Sequence, residues 1–332
     1  VSDDYLWDGS GEPDPEILRL ETTLLPLRGE RRAPGLGPRL AFPTGRWRTL
    51  AAAAVVLLAL AAVVTRGRLP EPSAGWELAW VEGASGHQAR VVRETRLHVG
   101  QWIDTGEARA RLAVGEIGEV ELAPGTRVGL VDAGFRAHRL SLSRGRMRAT
   151  IWATPGQFLV DTPSALAVDL GCRYTLEVAP DGSGLLRVEA GWVGIERRGL
   201  ESLVPAGAAC PTRRGIGPGT PYYESAPEGL RRALAVIDFG TDPTETAVAL
   251  DAALALARPQ DALSLWHLLS RLDAEGRGRV FDRLAALVSP PAGVTREGIE
   301  RGERAMRDAW WDELGLGSAE FWRGWTRRWG DR

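Results

Sequence analysis

Lysine and asparagine are absent from this 332-residue chain, and all 41 of its basic residues are arginine. A bias this uniform reads as coding composition and does not by itself point to nucleic acid. The chain also lacks an excess of either charge: the formal net charge is -2, which gives no argument for a polyanionic partner. Cysteine is scarce. Cys172 and Cys210 are the two, and neither has a Cys or His nearby at zinc-ligand spacing. The histidines, His87, His98, His138 and His267, form no HExxH motif and no pair at metal spacing. "GIGPGTP" has the glycines of a phosphate loop without its GK[ST] ending. Asp161 and Asp169 are conceivable as paired carboxylates, but no nucleophile or base accompanies them. These absences predict a protein that is not an enzyme and holds no cofactor and no metal.

What is present begins with an uncharged run. "TLAAAAVVLLALAAVVT", Thr49–Thr65, lies between Arg48 and Arg66 and predicts a single transmembrane helix over 47–66. Trp47 suits the interface, and the flanking arginines can snorkel. Upstream stand Arg28, Arg31, Arg32, Arg39, Arg46 and Arg48; downstream, after Arg66 and Arg68, the next is Arg90. Positive charge stays inside, so the N-terminus is expected in the cytoplasm and the C-terminal domains outside it, which in a two-membrane bacterium is the periplasm. Residues 1–27 read as a short cytoplasmic helical segment and 28–46 as a juxtamembrane linker rich in Arg, Gly and Pro.

From about Gly75 to Pro205 the apolar period is two. Leu112 and Val114, Val120 and Leu122, Val128 and Leu130, and Leu140 and Leu142 alternate with polar or small residues. Met147, Ala149 and Ile151, Phe158 and Val160, and Val193 and Ile195 continue the series. "APGT", "SRGR", "TPG" and "DGSG" read as turns between short strands, and no helical window interrupts them. An all-β domain, a sandwich or a short β-coil, is expected. The arginines of "RGRMR" are expected on one solvated strand face.

"GQWIDTGEARARLAVGEIGEVELAPGTRVGL" resembles the start of the FecR domain of bacterial single-pass transmembrane sensors and anti-sigma regulators. "LSLSRGRMRATIW", "FLVDTPSALAVDLGCRYTLEV", "LLRVEAGWVGIE" and "LVPAG" follow in the family's order, so the resemblance covers roughly residues 76–210. Its signature residues here are Gly100, Ile103, Thr105, Gly106, Gly125, Thr162, Pro163, Gly171 and Gly191. Their expected roles are structural: glycines at corners, Ile103 as a core plug, Thr105 bonding backbone at the turn, and Pro163 ending a strand. An exported location permits a disulfide between Cys172 and Cys210, closing a loop of about 38 residues; two buried free thiols are the other reading.

After a linker at 211–227 the pattern turns helical, and residues 228–332 predict an α-helical domain of helical hairpins. "PEGLRRALAVIDFG", "DPTETAVALDAALALA", "PQDALSLWHLLSRL", "GRVFDRLAALV" and "TREGIERGERAMRDAWWDEL" are its expected helices. In "AEFWRGWTRRW", Trp322, Trp325 and Trp329 share a helical face, either packed as core, offered to a partner, or laid on a membrane surface. FecR-type iron sensors carry a small α/β domain where this chain has helices, and the N-terminal pattern of common anti-sigma modules is missing. The resemblance implies a membrane-anchored sensor with a periplasmic protein partner and a cytoplasmic one such as a sigma factor. The transmembrane helix adds contact with inner-membrane lipid, and no nucleic acid is expected. The alternative is an envelope scaffold, or a module binding protein or cell wall, with no transcriptional role.

Overall fold

The computed structural model describes residue 19 and residues 75–82, 90–134 and 137–316. Contacts divide the chain into Val1–Leu69 and Pro70–Arg332, and the described residues from 75 onward belong to the second unit. The expected span at 47–66, the segments 1–27 and 28–46 apart from Arg19, and the stripe Trp322, Trp325 and Trp329 lie outside the described residues. Among the described residues no helix is long and apolar enough to cross a membrane.

Alternating burial builds two sheets that share one long strand. The first half of the chain supplies β1 (Gly75–Glu82), β2 (Arg90–His98), β3 (Trp102–Asp104), β4 (Arg109–Val114), β5 (Gly118–Leu122), β6 (Arg127–Gly134), β7 (Ala137–Ile151) and β8 (Phe158–Asp161). Then come β9 (Leu166–Asp169), β10 (Arg173–Val178), β11 (Gly184–Ala190), β12 (Trp192–Arg197), β13 (Leu200–Pro205), β14 (Ala208–Arg213), β15 (Gly217–Pro218) and β16 (Tyr222–Tyr223). Sheet A runs β2-β1-β4-β5-β7-β10-β11-β14, with β15 and β16 both against β14. Sheet B runs β3-β6-β7-β8-β9-β12-β13. All pairs are antiparallel except β7 with β8. In β4, Ala110, Leu112 and Val114 point inward and their neighbours outward, the period-two signature of a strand with one face on a core. Trp76 of β1 meets Phe158 of β8 at 6.2 Å between ring centroids, so the inner faces share one core.

"SRGR", expected to end a strand, lies inside β7 instead. His138, Leu140 and Leu142 are buried in sheet B, whereas Met147, Ala149 and Ile151 are buried in sheet A. The inward parity changes through Ser143–Gly145. Gly145 has φ +96°, and a Cβ there would stand 2.4 Å from the Thr126 Cα. Only glycine allows this corner at that approach. One strand therefore serves both layers, which is why a single-strand periodicity reading splits it in two.

The helices are α1 (Glu228–Phe239), α2 (Pro243–Leu256), α3 (Ala262–Leu268), α4 (Ala274–Leu287), α5 (Arg296–Glu300) and α6 (Arg304–Glu313). Asp242 caps α2 by accepting from the Thr244 amide at 2.7 Å, with Pro243 in the first turn. The last expected helix is two: Gly302, at φ +76°, separates α5 from α6. Trp310 and Trp311 of α6 are fully buried, and Trp311 packs on Trp266 of α3 and Trp192 of β12.

The expected linker at 211–227 is not a tether. It carries the end of β14, then β15 and β16, and it enters a buried polar weld between sheet and helices. Arg271, after α3, donates to the Pro218 and Gly219 carbonyls, each at 2.9 Å, and to the Ser202 hydroxyl at 2.6 Å. Asp238 of α1 lies 3.4 Å from the Arg271 guanidinium and accepts from the Thr220 amide at 2.5 Å and its hydroxyl at 2.8 Å. Burial raises the Asp238 carboxyl's pKa, and Arg271 and the Thr220 donors oppose the rise. Nearby, the His267 Nε2 accepts from the Leu203 amide, so its Nδ1 carries the proton and donates to the Leu263 carbonyl. Burial lowers the His267 pKa to about 3, holding it neutral.

Candidate binding surface

The outward positions of sheet A form a charged trough. Inward positions on β4, β5, β7, β10 and β11 are taken mainly by aliphatic residues and Met147, with Tyr174 on β10, so the alternate positions must face water, and there the sequence places chiefly Arg and Glu. Cross-strand register sets one row as Arg111, Glu121, Arg148, Thr175 and Arg187, continuing through Ala209 to Tyr222. A second row runs through Arg146 and Glu177, with Arg109 on the same face. Between them lies an open depression of about 730 Å³.

Two of the trough's carboxylates are each shared by two arginines, and one arginine is shared by two carboxylates. Glu177 accepts from Arg187 at 3.1 Å and forms an ion pair with Arg146 at the same distance. Glu189 accepts from Arg148 at 2.6 Å and Arg173 at 3.0 Å. Arg111 lies 3.6 Å from Glu121 and 3.8 Å from Glu119. The Arg148 hydrogen bond, more than its charge, holds the Glu189 carboxyl below its ordinary pKa. Five arginines (109, 111, 146, 148 and 187) line the depression against Glu121, Glu177 and Glu189, so it is locally basic in a chain of nearly zero net charge. Of the "RGRMR" arginines, Arg146 and Arg148 enter the trough, while Arg144 pairs with Asp104 of β3. Sequence reading missed the trough as a unit. Its signal was present as charge at period two in "RARLAV", "GEVEL", "RMRATI", "RYTLEV" and "LLRVEA", but only register shows that those charges are neighbours.

The FecR-like signature residues lie elsewhere, at corners. Thr105, buried, donates to the Ala123 carbonyl at 2.8 Å and accepts from the Thr126 amide at 2.9 Å, tying the turn after β3 to the "APGT" turn. Gly106 accepts from the Gly125 amide at 2.6 Å at that junction. The Gly100 amide donates to the Leu130 carbonyl at 2.8 Å, and Ile103 packs on the core, half-buried. β8 ends at Asp161; Thr162 then accepts from the Ala165 amide at 2.9 Å, and the Pro163 carbonyl accepts from Arg197. Gly191, at φ +74°, passes so close to Gly171 that a Cβ would stand 2.2 Å from the Gly171 oxygen.

The proposed bridge does not form: Cys172 and Cys210 are both buried and free. Cys210 sits opposite Leu186 and Leu186 opposite Leu176, which leaves the two cysteines two strands and four residues apart. That is about 16 Å from strand and residue spacing, far beyond a disulfide's reach. The Cys172 thiol donates instead to the Asp169 carboxylate at 2.7 Å, and Cys210 to the Gly219 carbonyl at 3.2 Å beside the weld. Burial pushes Cys172 and the neighbouring Tyr174 well up, and raises the Asp169 carboxyl to about 7. Asp161, the imagined partner of Asp169, is bound at 2.5 and 2.7 Å to Arg139. Among the described residues no group of His, Cys, Asp and Glu is placed to hold a metal.

No protein-family model and no curated protein matches the sequence. Two crystal structures, each of a candidate anti-sigma factor from Parabacteroides distasonis, are similar to part of the chain. The first is 16% identical with a TM-score of 0.34, covering 40% of this chain and 63% of that one. The second is 15% identical with a TM-score of 0.34, covering 46% of this chain and 74% of that one. The chain thus spans less than two thirds of the first neighbour's length. At these TM-scores the likeness carries no argument about fold or function.

Proposed function

We propose that this chain is a non-enzymatic, membrane-anchored regulatory protein of the bacterial envelope. Its exported sandwich receives a cue, and residues 1–47 pass it to a cytoplasmic regulator such as a sigma factor. The observation that carries the receptor half is the solvent-facing trough on sheet A. It is broad, charged and built on interior strands, and the helices are welded to the molecule elsewhere. The ordered FecR-like segments and the arginine asymmetry around Thr49–Thr65 support the anchored topology.

Two measurements test the reading. Alkaline phosphatase fused after Arg332 is expected to be active in a bacterial host; an inactive fusion beside a fluorescent one reverses the topology. Crosslinked capture with the full chain should recover a sigma factor that a chain lacking residues 1–47 does not. Capture of envelope proteins only, unchanged by that deletion, favours the scaffold function instead.

A further inference from the structure

We propose that the trough on sheet A binds an anionic glycan, a linear chain carrying uronate-type carboxylates, laid across the strands. The proposal rests on the receptor reading above and names its ligand class.

Spacing comes first. Arg111, Arg148 and Arg187 occupy alternate strands of one row, so their backbone positions recur about every 10 Å. Arg109 and Arg146 repeat the arrangement about 7 Å along the strands. Arginine at each point offers a planar fork that can hold a carboxylate with two bonds. The residues between are equally informative. Glu121, Glu177 and Glu189 stand among the arginines, and Thr175 lies between Arg148 and Arg187 in the row. A nucleic acid, with a phosphate every few Å, would lie directly against those carboxylates and be repelled. A chain with sparse carboxylates and hydroxyls between them meets donors and acceptors in the order it needs. The row ends at Tyr222, giving a sugar ring an aromatic neighbour.

An acidic peptide fits less well. A peptide that adds to a sheet gains its affinity from backbone hydrogen bonds to a free edge, whereas arginine clusters take acidic side chains alone. Here β4, β5, β7, β10 and β11 are each paired on both sides, so the trough floor offers no such edge. The side-chain lattice alone must do the recognition, and a glycan presents its polar groups laterally in the way that lattice requires.

The test is titration of the full-length chain, in detergent micelles, with hyaluronate oligosaccharides, which carry one carboxylate per disaccharide, at low and at physiological salt. Saturable binding that weakens with salt, and that a fully methyl-esterified oligomer does not show, is expected. Replacing Arg111→Ser and Arg148→Ser together should weaken binding by about tenfold or more. Arg96→Ser, on the same face outside the depression, should change it by less than about twofold. Melting curves of each variant report whether it is folded. If the double variant is unfolded, Glu189→Gln supplies the second readout, and its affinity for the oligomer should shift with the sandwich intact. No binding by the unaltered chain, binding indifferent to salt or esterification, or binding retained by a folded double variant overturns the proposal. Equal binding of polyglutamate, lost in the same variant, overturns the glycan assignment. A chain that captures its cytoplasmic partner yet ignores the oligomer fails here without failing the regulatory function, because that capture reads through residues 1–47.

Discussion

The weld and the trough are made of the same chemistry, arginine against carboxylate, and they do opposite work. In the weld Arg271 and Asp238 are 7% and 1% exposed, and both ions have nearby protein partners. In the trough Arg146 is 61% exposed and Glu177 32%, and water competes for every contact. A buried pair cannot be opened without stranding a charge, so it fixes which elements stay together. A solvated lattice contributes little to stability and can exchange partners, so it is free to meet a ligand. Residue type alone does not separate structure from recognition in this chain; burial does.

The largest break in that comparison is expected at the weld. Asp238→Ala strands the Arg271 guanidinium and removes the acceptor of both Thr220 donors. The loss should be about 3–5 kcal/mol, read as a fall in the denaturation midpoint of the full chain. Asp238→Leu combined with Arg271→Met should recover part of it, because no charge is then left unpaired. A loss of only a few tenths of a kcal/mol would put the weld in the same class as the trough, and the distinction would fail.

How much of this was legible beforehand follows from range. The strands were legible because their signal is local: Leu112 and Val114, Val120 and Leu122, and Leu140 and Leu142 alternate in sequence, and all six are buried. The helical C-terminal region was legible for the same reason. The weld was not, because Ser202, Gly219, Asp238 and Arg271 come from four separate segments and carry no common pattern. The connector looked like a linker because proline and glycine usually loosen a chain. Here Gly219 is needed for close packing instead, since a Cβ would stand 2.8 Å from the Phe239 ring and 2.9 Å from the Asp238 carboxylate. The trough was half legible: arginines on a solvated face were expected, but their grouping depended on the corner at Gly145 and on register across five strands.

A second, intermediate effect comes from Asp169, buried like the weld but without a cation. Its folded pKa of about 7 lies above its ordinary value of 3.8, so the folded chain binds more protons than the unfolded one between those values. This carboxyl's contribution to stability is then greatest below about pH 4, falls as pH rises through the window, and levels off above about 7. Asp169→Asn should remove that part of the pH dependence in melting curves taken from pH 4 to 8. A variant with the same slope as the unaltered chain would mean that other groups carry it.

The smallest effect is expected on the outer face, and its smallness is the point. Arg173 shares Glu189 with Arg148, and both partners are more than a third exposed. Arg173→Ser leaves Glu189 its shorter bond to Arg148, while solvent takes the vacated position. The cost should be below about 1 kcal/mol and should shrink further as salt is raised. Thermal melts of the two chains at low and high salt measure it directly. A loss of about 3 kcal/mol, comparable to the weld, would mean the Arg–Glu lattice is a structural device that holds sheet A in register. The trough would then have no reserve of weak contacts to exchange for a ligand, and the division between the two regions would collapse at the same residue.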